Sequence, residues 1–240
     1  MKAGNKKSKC INKVWEGRAD CVNCSIKSQV LFSQIPEEKL NDMLVNIDNM
    51  TYPTGSVLYQ SGETEGVVFT IRQGLVKLVR YLPNGTQRAV RLFGQGDVVG
   101  MEALLGQAYQ HTAVVIRESK LCKIPLETIQ LLKKEHPDLN QQIMLRFQKQ
   151  LNEADRFITE FSTGTAEARL ARLLLFLNSP NHGVSCDVVS REEMGEILGI
   201  TTETASRIMA DFKRRRIIFD VQEFGNNCDL AALRHIADDV

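Results

Sequence analysis

The sequence predicts an α+β chain: an antiparallel β-roll, then a long helix, then a smaller domain built on a winged helix-turn-helix. Three observations carry this. Nine of the 16 glycines fall between positions 55 and 106, where they separate short apolar or alternating runs. An apolar stripe of helical period follows Pro137. A capping box, a glycine stop and a second capped helix then follow in close succession. With 43% hydrophobic and 25% charged residues in 240, the composition is that of a globular chain. It excludes a disordered tail, a collagen-like fibre and a coiled-coil rod.

Residues 1–30 carry seven basic and two acidic side chains and lack the apolar core of a signal peptide. The longest apolar stretch, at 170–177, is interrupted by Arg172. It is far short of the ~20 residues that a membrane span needs, so a cytoplasmic chain with no membrane partner is expected. This first segment reads as charged and poorly packed, and it holds Cys10, Cys21 and Cys24 of the six cysteines. Six are too few for a disulfide scaffold. In a reducing compartment they read as buried apolar residues, redox thiols or metal ligands. Cys186 and Cys228 have no partner pattern and read as structural.

The β-roll occupies 31–136, its compact part about 50–125. Strands are expected at 67–71, 75–81, 88–93 and 112–116, because even spacing with turn residues between runs is an all-β signal. Pro83-Asn84-Gly85 reads as a hairpin turn, Asn-Gly tolerating the positive φ of a tight turn.

The long helix spans 137–162. Pro137 and Asp138 suit its first turn. Ile143, Phe147, Leu151, Ala154, Ile158 and Phe161 recur at spacings of four, four, three, four and three, which traces one apolar stripe. The stripe is narrow and its flanks are charged (Arg146, Lys149, Glu153, Asp155, Arg156). That pattern fits a dimerisation seam with a second copy of the chain. Packing on the β domain of the same chain is the alternative. Ser162-Thr163-Gly164-Thr165 breaks the period as a hinge.

The final domain, 163–240, begins with a helix at 167–177. Ser190-Arg191-Glu192-Glu193 is a capping box. The helix it opens buries Met194, Ile197 and Leu198 and stops at Gly199. Thr201 or Thr202 caps the next helix, which buries Ala205, Ile208, Met209 and Phe212. Two short helices joined by so tight a turn form a helix-turn-helix. Glu203, Ser206, Arg207 and Ala210 share the exposed face of the second helix. The N-terminal residues of such a helix meet base edges in the major groove. Arg207 can take guanine O6 and N7 together, and Glu203 can accept from the cytosine amino group, with Thr202 and Ser206 beside them. Lys213, Arg214 and Arg215 supply phosphate contacts, which position without discriminating. A net charge of +1 gives no general pull toward nucleic acid, so this role rests on the local patch. Residues 217–221, a turn at Gly225-Asn226-Asn227 and a helix from Asp229 read as the wing. The plain alternative is a helical hairpin with solvated charges, which the capping box, short turn and basic run outweigh.

From about residue 20 to its end the chain resembles the CRP/FNR superfamily of bacterial transcription regulators. The matching pieces are Gly94-Gln95-Gly96-Asp97-Val98-Val99-Gly100, the long helix after Pro137, and Leu198-Gly199-Ile200-Thr201-Thr202-Glu203-Thr204-Ala205-Ser206-Arg207. The last run is similar to the FNR branch, in which a Glu-x-x-Ser-Arg pattern reads a TTGAT-type half-site. The resemblance implies a cyclic-nucleotide-binding-like jelly roll as sensor and an effector-gated homodimer. It also implies a palindromic double-stranded DNA site and RNA polymerase as a partner. No Ser/His/Asp or Cys/His arrangement is evident, and the glycine run has the wrong spacing for a dinucleotide fingerprint, so no catalytic site is expected.

Two ligands follow from the resemblance. The cyclic-AMP branch grips the cyclic phosphate with a Gly-Glu-Leu segment and an Arg-Ser pair. This chain has Gly100-Met101-Glu102 and His111-Thr112 there, so nothing neutralises the phosphate and cyclic AMP is not expected. The FNR branch holds a [4Fe–4S] cluster with three closely spaced N-terminal cysteines and one in the β-roll. Cys21, Cys24 and Cys122 match three of these, while Val30 stands in the third N-terminal place. Cys10 could substitute, giving Cys10, Cys21, Cys24 and Cys122 as ligands of a cluster responsive to oxygen or nitric oxide. A thiol redox switch, haem, or another small effector without a cluster are the alternatives. Ala154 stands where oxygen-sensing members carry an acidic residue that keeps cluster-free subunits apart, so this seam could dimerise unaided.

Overall fold

A computed structural model describes residues 13–21, 23–33, 35–36, 46–179, 189–221 and 225–239. Seven strands form one antiparallel sheet: β1 (Val14–Arg18), β2 (Asp48–Tyr52), β3 (Val57–Tyr59), β4 (Val67–Tyr81), β5 (Gln87–Phe93), β6 (Val98–Val99) and β7 (Thr112–Pro125). Their order is β1-β2-β7-β4-β5, with β3 paired to β7 and β6 to β4. Side chains alternate across β4 as a pleated strand requires. Val76 and Leu78 enter a core with Phe69, Tyr59, Tyr109 and Val115. Leu75 points the other way, into a core shared with the C-terminal helices.

Where the sequence pattern predicts two strands, at 67–71 and 75–81, the protein has one. Gly74 is the reason. It takes φ +113° at an irregularity in the β4–β7 register, and a Cβ there would fall 2.1 Å from Ser119 Oγ. The glycine bulges the strand past Ser119 and does not turn it. The 83–85 turn forms as expected: Gly85 has φ +81° and Leu82 N–H donates to Thr86 O at 2.9 Å.

The N-terminal segment is better packed than its charge implies. β1 pairs along β2, and Ile26, Leu31 and Phe32 are buried. Ile26 stands alone and Leu31 and Phe32 sit in a run of only three apolar residues, too short to make a periodic signal.

Two helices follow the sheet: α1 (Leu126–Glu135) and α2 (Leu139–Phe161). Ile129 and Leu132 of α1 pack with Cys122, Ile124, Leu139 and Ile143 beneath the N-terminal segment. The C-terminal part comprises α3 (Ala166–Leu177), α4 (Arg191–Leu198), α5 (Thr202–Arg214), β8 (Ile218–Val221), β9 (Gly225–Cys228) and α6 (Leu230–Ala237). Leu174, Met194, Ile197, Met209, Phe212 and Leu233 form its core, which continues through Phe157 and Phe161 to Leu92 and Ile116 of the β-roll. Gly225-Asn226-Asn227, expected as a turn, is the return strand, pairing with Val221, Asp220 and Phe219. Among the described residues no helix is long and apolar enough to cross a membrane.

Candidate functional site

The helix-turn-helix is built from backbone constraints. Ser190 caps α4 through a complete capping box with Glu193, and Gly199 ends it at φ +64°. A Cβ on Gly195 would fall 2.7 Å from Ile200 O, so the turn closes tightly onto α4 only over a glycine. Thr201 then caps α5 by accepting from Thr204 N–H at 3.2 Å. Arg169 of α3 donates to Leu198 O at 2.6 Å, placing a cation at the negative end of α4.

With Ala205, Met209 and Phe212 buried, α5 presents Thr202, Glu203, Ser206 and Arg207 to solvent along one face. Hydrogen bonds from its own backbone N–H and from the Thr201 side chain hold the Glu203 carboxyl below its usual pKa. It is therefore a carboxylate acceptor at neutral pH, as reading a base amino group requires.

The basic end of α5 is less uniform than its sequence. Lys213, Arg214 and Arg215 are exposed. Arg214 pairs with Asp211. Arg215 reaches Glu167 at 2.6 Å and Asp211 at 3.2 Å, tying the end of α5 to the start of α3. A phosphate would have to compete for Arg215 with two carboxylates. Arg216 follows at φ +56° in a Schellman ending, with Ile217 N–H donating to Phe212 O at 2.9 Å.

The α2 stripe is divided. Ile143 (7% exposed) and Phe161 (2%) are packed into their own chain, and Phe147 is partly buried. Leu151 and Ile158 are each 58% exposed, Ala154 is half-buried between them, and Met144 is 67% exposed. Met144, Leu151 and Ile158 recur every seven residues, with Ala154 three positions after Leu151 on the same side. The open seam is therefore shifted by one residue from Ile143 to Met144.

Cys21 and Cys24 lie half-exposed in the N-terminal segment, and Cys122 is buried on β7. The three are near enough to interact electrostatically. Burial, then the Cys24 charge, pushes the Cys21 thiol up to about 11. Burial also pushes Cys122 up to about 12; Arg72 opposes, while Cys21 and Cys24 add to the rise. Such thiols are protonated and poorly nucleophilic at neutral pH. Among the described residues no three His, Cys, Asp or Glu side chains are grouped to hold a metal ion. Cys10 and Cys186 lie outside the described residues. Val30 is 9% exposed and packs as an apolar residue. Cys228 is disulfide-bonded, which its lack of a sequence partner pattern did not anticipate; its partner lies outside the described residues.

Arg146 joins this segment to α2, a role the sequence reading missed by treating it as a solvated flank. Its guanidinium donates to the carbonyls of Gln29 (2.5 Å), Val30 (3.2 Å) and Gly96 (3.2 Å). Lys149 reaches Asp97 at 2.6 Å, and Gln150 donates to Val98 O at 2.7 Å. The signal available was an arginine one turn from the stripe opposite a glycine-rich loop.

At the place matched to the cyclic-phosphate grip, the protein's own side chains fill the β-roll. Tyr59 stacks on Tyr109 with ring centroids 3.9 Å apart, close against Gly100. Burial raises the Glu102 carboxyl, but the His111 imidazole 3.7 Å away and backbone N–H groups outweigh it and hold the group below its usual pKa. A partly buried carboxylate at this place repels a phosphate.

A β-roll sensor, a long helix and a winged helix-turn-helix with an exposed reading face together define a DNA-binding transcription regulator with a sensory domain. Comparisons with known proteins agree. The family model for the cyclic nucleotide-binding domain matches residues 49–136, and that for the Crp-like helix-turn-helix domain matches residues 168–236. The chain is 29% identical over 206 residues to the fumarate and nitrate reduction regulatory protein of Vibrio cholerae, covering 82% of each. It is 26% identical over 209 residues to the transcriptional activator protein anr of Pseudomonas aeruginosa, covering 84% of this chain and 85% of that one. A CRP-family transcriptional regulator of Thermus thermophilus superposes with a TM-score of 0.66 at 26% identity, over 78% of this chain and 95% of that one. FixK2 of Bradyrhizobium japonicum shares the fold at 17% identity, with a TM-score of 0.68 over 81% and 98%. The chain belongs to the CRP/FNR superfamily of transcription regulators. It is a regulator and not an enzyme.

Proposed function

We propose that the protein is a homodimer that reads a palindromic, TTGAT-like site and is gated by a redox signal at its N-terminal thiols. The carrying observation is that Cys21 and Cys24 lie in the N-terminal segment that Arg146 ties to α2, with Cys122 on β7 near enough to interact with them electrostatically. A change at the thiols is thereby in direct mechanical contact with the helix between sensor and reader. Relatives named for fumarate and nitrate reduction, and for anaerobic regulation, support a redox reading.

The donor type suits a [4Fe–4S] cluster, though the described thiols are not grouped as a metal site here: Cys21, Cys24 and Cys122 would supply three soft sulfur ligands beside Arg72, with Cys10 as the fourth. When bound, such a cluster supplies a centre that oxygen or nitric oxide can attack. The chain's own part is to give up thiol protons held by burial at Cys21 and Cys122, so loading is proton-coupled. The same burial weakens a plain thiol switch, which needs a low pKa. Cyclic AMP is disfavoured by the Glu102 carboxylate and the stacked tyrosines in its place.

Met144, Leu151 and Ile158 form the seam for the second copy, with Ala154 placing no charge on it. Thr202, Glu203, Ser206 and Arg207 read bases, and Lys213 and Arg214 contact phosphate, with Arg215 bracing the helix end. Two such helices set half-sites about one helical turn, ~34 Å, apart. RNA polymerase is the partner for which such a bound dimer is built.

Anaerobic purification, a visible spectrum and an iron count test the cluster. About four irons per chain are expected, and changing Cys10, Cys21, Cys24 or Cys122 to Ser removes them. Iron-free protein after reconstitution refutes the cluster and favours haem or another small effector.

A further inference from the structure

A lysine lies where a sheet face should be apolar. Lys77 shares the outward face of β4 with Leu75, between Leu92 of β5 and Val114 of β7. It is only 4% exposed, because the DNA-binding domain covers it. Its ammonium meets Glu196 Oε2 of α4 at 2.5 Å. Nearby, Arg88 of β5 presses on the turn of the helix-turn-helix, so closely that a Cβ on Gly199 would fall 1.9 Å from Arg88 Nη1. The hairpin tip, with Tyr81 and Gln87, faces Thr202 and Glu203 across a crevice of about 970 Å³.

That crevice cannot hold a duplex. A helix seated in a major groove about 12 Å wide has a phosphate backbone on each side of it. The hairpin occupies the space beside the first turn of α5, where one of those backbones must pass. Docking of the reader on the β-roll and docking of the reader on DNA therefore compete.

We infer that the Lys77–Glu196 pair is a latch that holds the DNA-binding domain against its own β-roll in a closed, DNA-excluding state. The chemistry suits a switch. A buried ion pair contributes little net stability, since both charges regain water when they separate. Its removal from one side only is costly, because the remaining charge stays buried and unpaired for as long as the domains stay closed. The latch thus discourages half-open states while leaving the closed and open states near balance. The inference rests on α5 being the DNA-reading helix, and it adds the device that withholds it.

Both single substitutions should act in the same direction. Glu196→Gln leaves the Lys77 ammonium unpaired in the closed state, and Lys77→Met leaves the Glu196 carboxylate unpaired there, so each drives opening. Full-length protein is titrated with a labelled duplex carrying two TTGAT half-sites. The distance between spin labels on the 83–85 turn and on α6 is measured without DNA. Glu196→Gln and Lys77→Met should each bind at least about fivefold more tightly, the lower end of ordinary allosteric coupling. The label distance should lengthen in both variants, and Lys77→Glu with Glu196→Lys together should restore the original behaviour. If Lys77→Met fails to fold, Glu196→Gln decides alone. Unchanged or weaker binding by Glu196→Gln, or an unchanged label distance in it, overturns the latch. Loss of all duplex binding by the unaltered protein, with the distance still responding, overturns the half-site assignment and leaves the latch standing.

Discussion

Arg146→Ala isolates the link between the cysteine segment and α2. The substitution removes three charged hydrogen bonds, to Gln29 O at 2.5 Å and to Val30 O and Gly96 O at 3.2 Å. Bonds to a charged group contribute about 1.5–3 kcal/mol each. Two of the three are long and the guanidinium is half-buried, so roughly 2–3 kcal/mol is a fair total for docking the 24–30 turn. That raises the open population of the turn by roughly 30- to 150-fold. Alkylation of Cys21 by iodoacetamide under anaerobic conditions, followed by mass spectrometry, reads this directly. Hydrogen exchange at 26–30 should accelerate in parallel. Arg146→Lys should fall between, because one ammonium cannot reach carbonyls on two separate turns with a planar fork's geometry. Unchanged alkylation and exchange in Arg146→Ala would show that the turn is held by its apolar residues alone.

Leu151→Asp places a charge in the α2 seam of both copies, costing roughly 3–6 kcal/mol of dimer stability across the pair; sedimentation should show monomer, and palindrome binding should weaken with it. Arg207→Ala should cost about 1–3 kcal/mol on the specific site and relax preference at one base pair, whereas Lys213→Ala should weaken all sequences alike and lower the salt slope. Equal behaviour across a panel of half-site variants would refute that division. Arg216→Gly relieves an L-residue at φ +56° and should stabilise the C-terminal domain by about 0.5–1 kcal/mol, raising Tm by about 1–4 °C; calorimetry decides it.

The elements that could be read from sequence are those whose local rule and tertiary role coincide. The Ser190 box, the Gly199 stop and the Thr201 cap are satisfied by backbone groups within three or four residues, so their pattern is their structure. Gly74 was misleading because its neighbour is Ser119, on another strand, and no local pattern distinguishes a bulge from a turn. The α2 stripe gave the helix but not its partner. A period cannot say that Ile143 and Phe161 turn to their own chain while Leu151 and Ile158 do not. Arg146 reads as a charged flank of the stripe, and Lys77 and Glu196 give no signal at all, because their partners lie 50 or more residues away in sequence.

The central claim is that the state of the N-terminal thiols sets the affinity of α5 for DNA. One titration tests it: anaerobic protein against a duplex with two TTGAT half-sites, repeated on the same sample after exposure to oxygen. Affinity should fall on exposure while the protein remains a dimer, since Ala154 leaves the seam uncharged. Equal affinity before and after exposure would contradict the account.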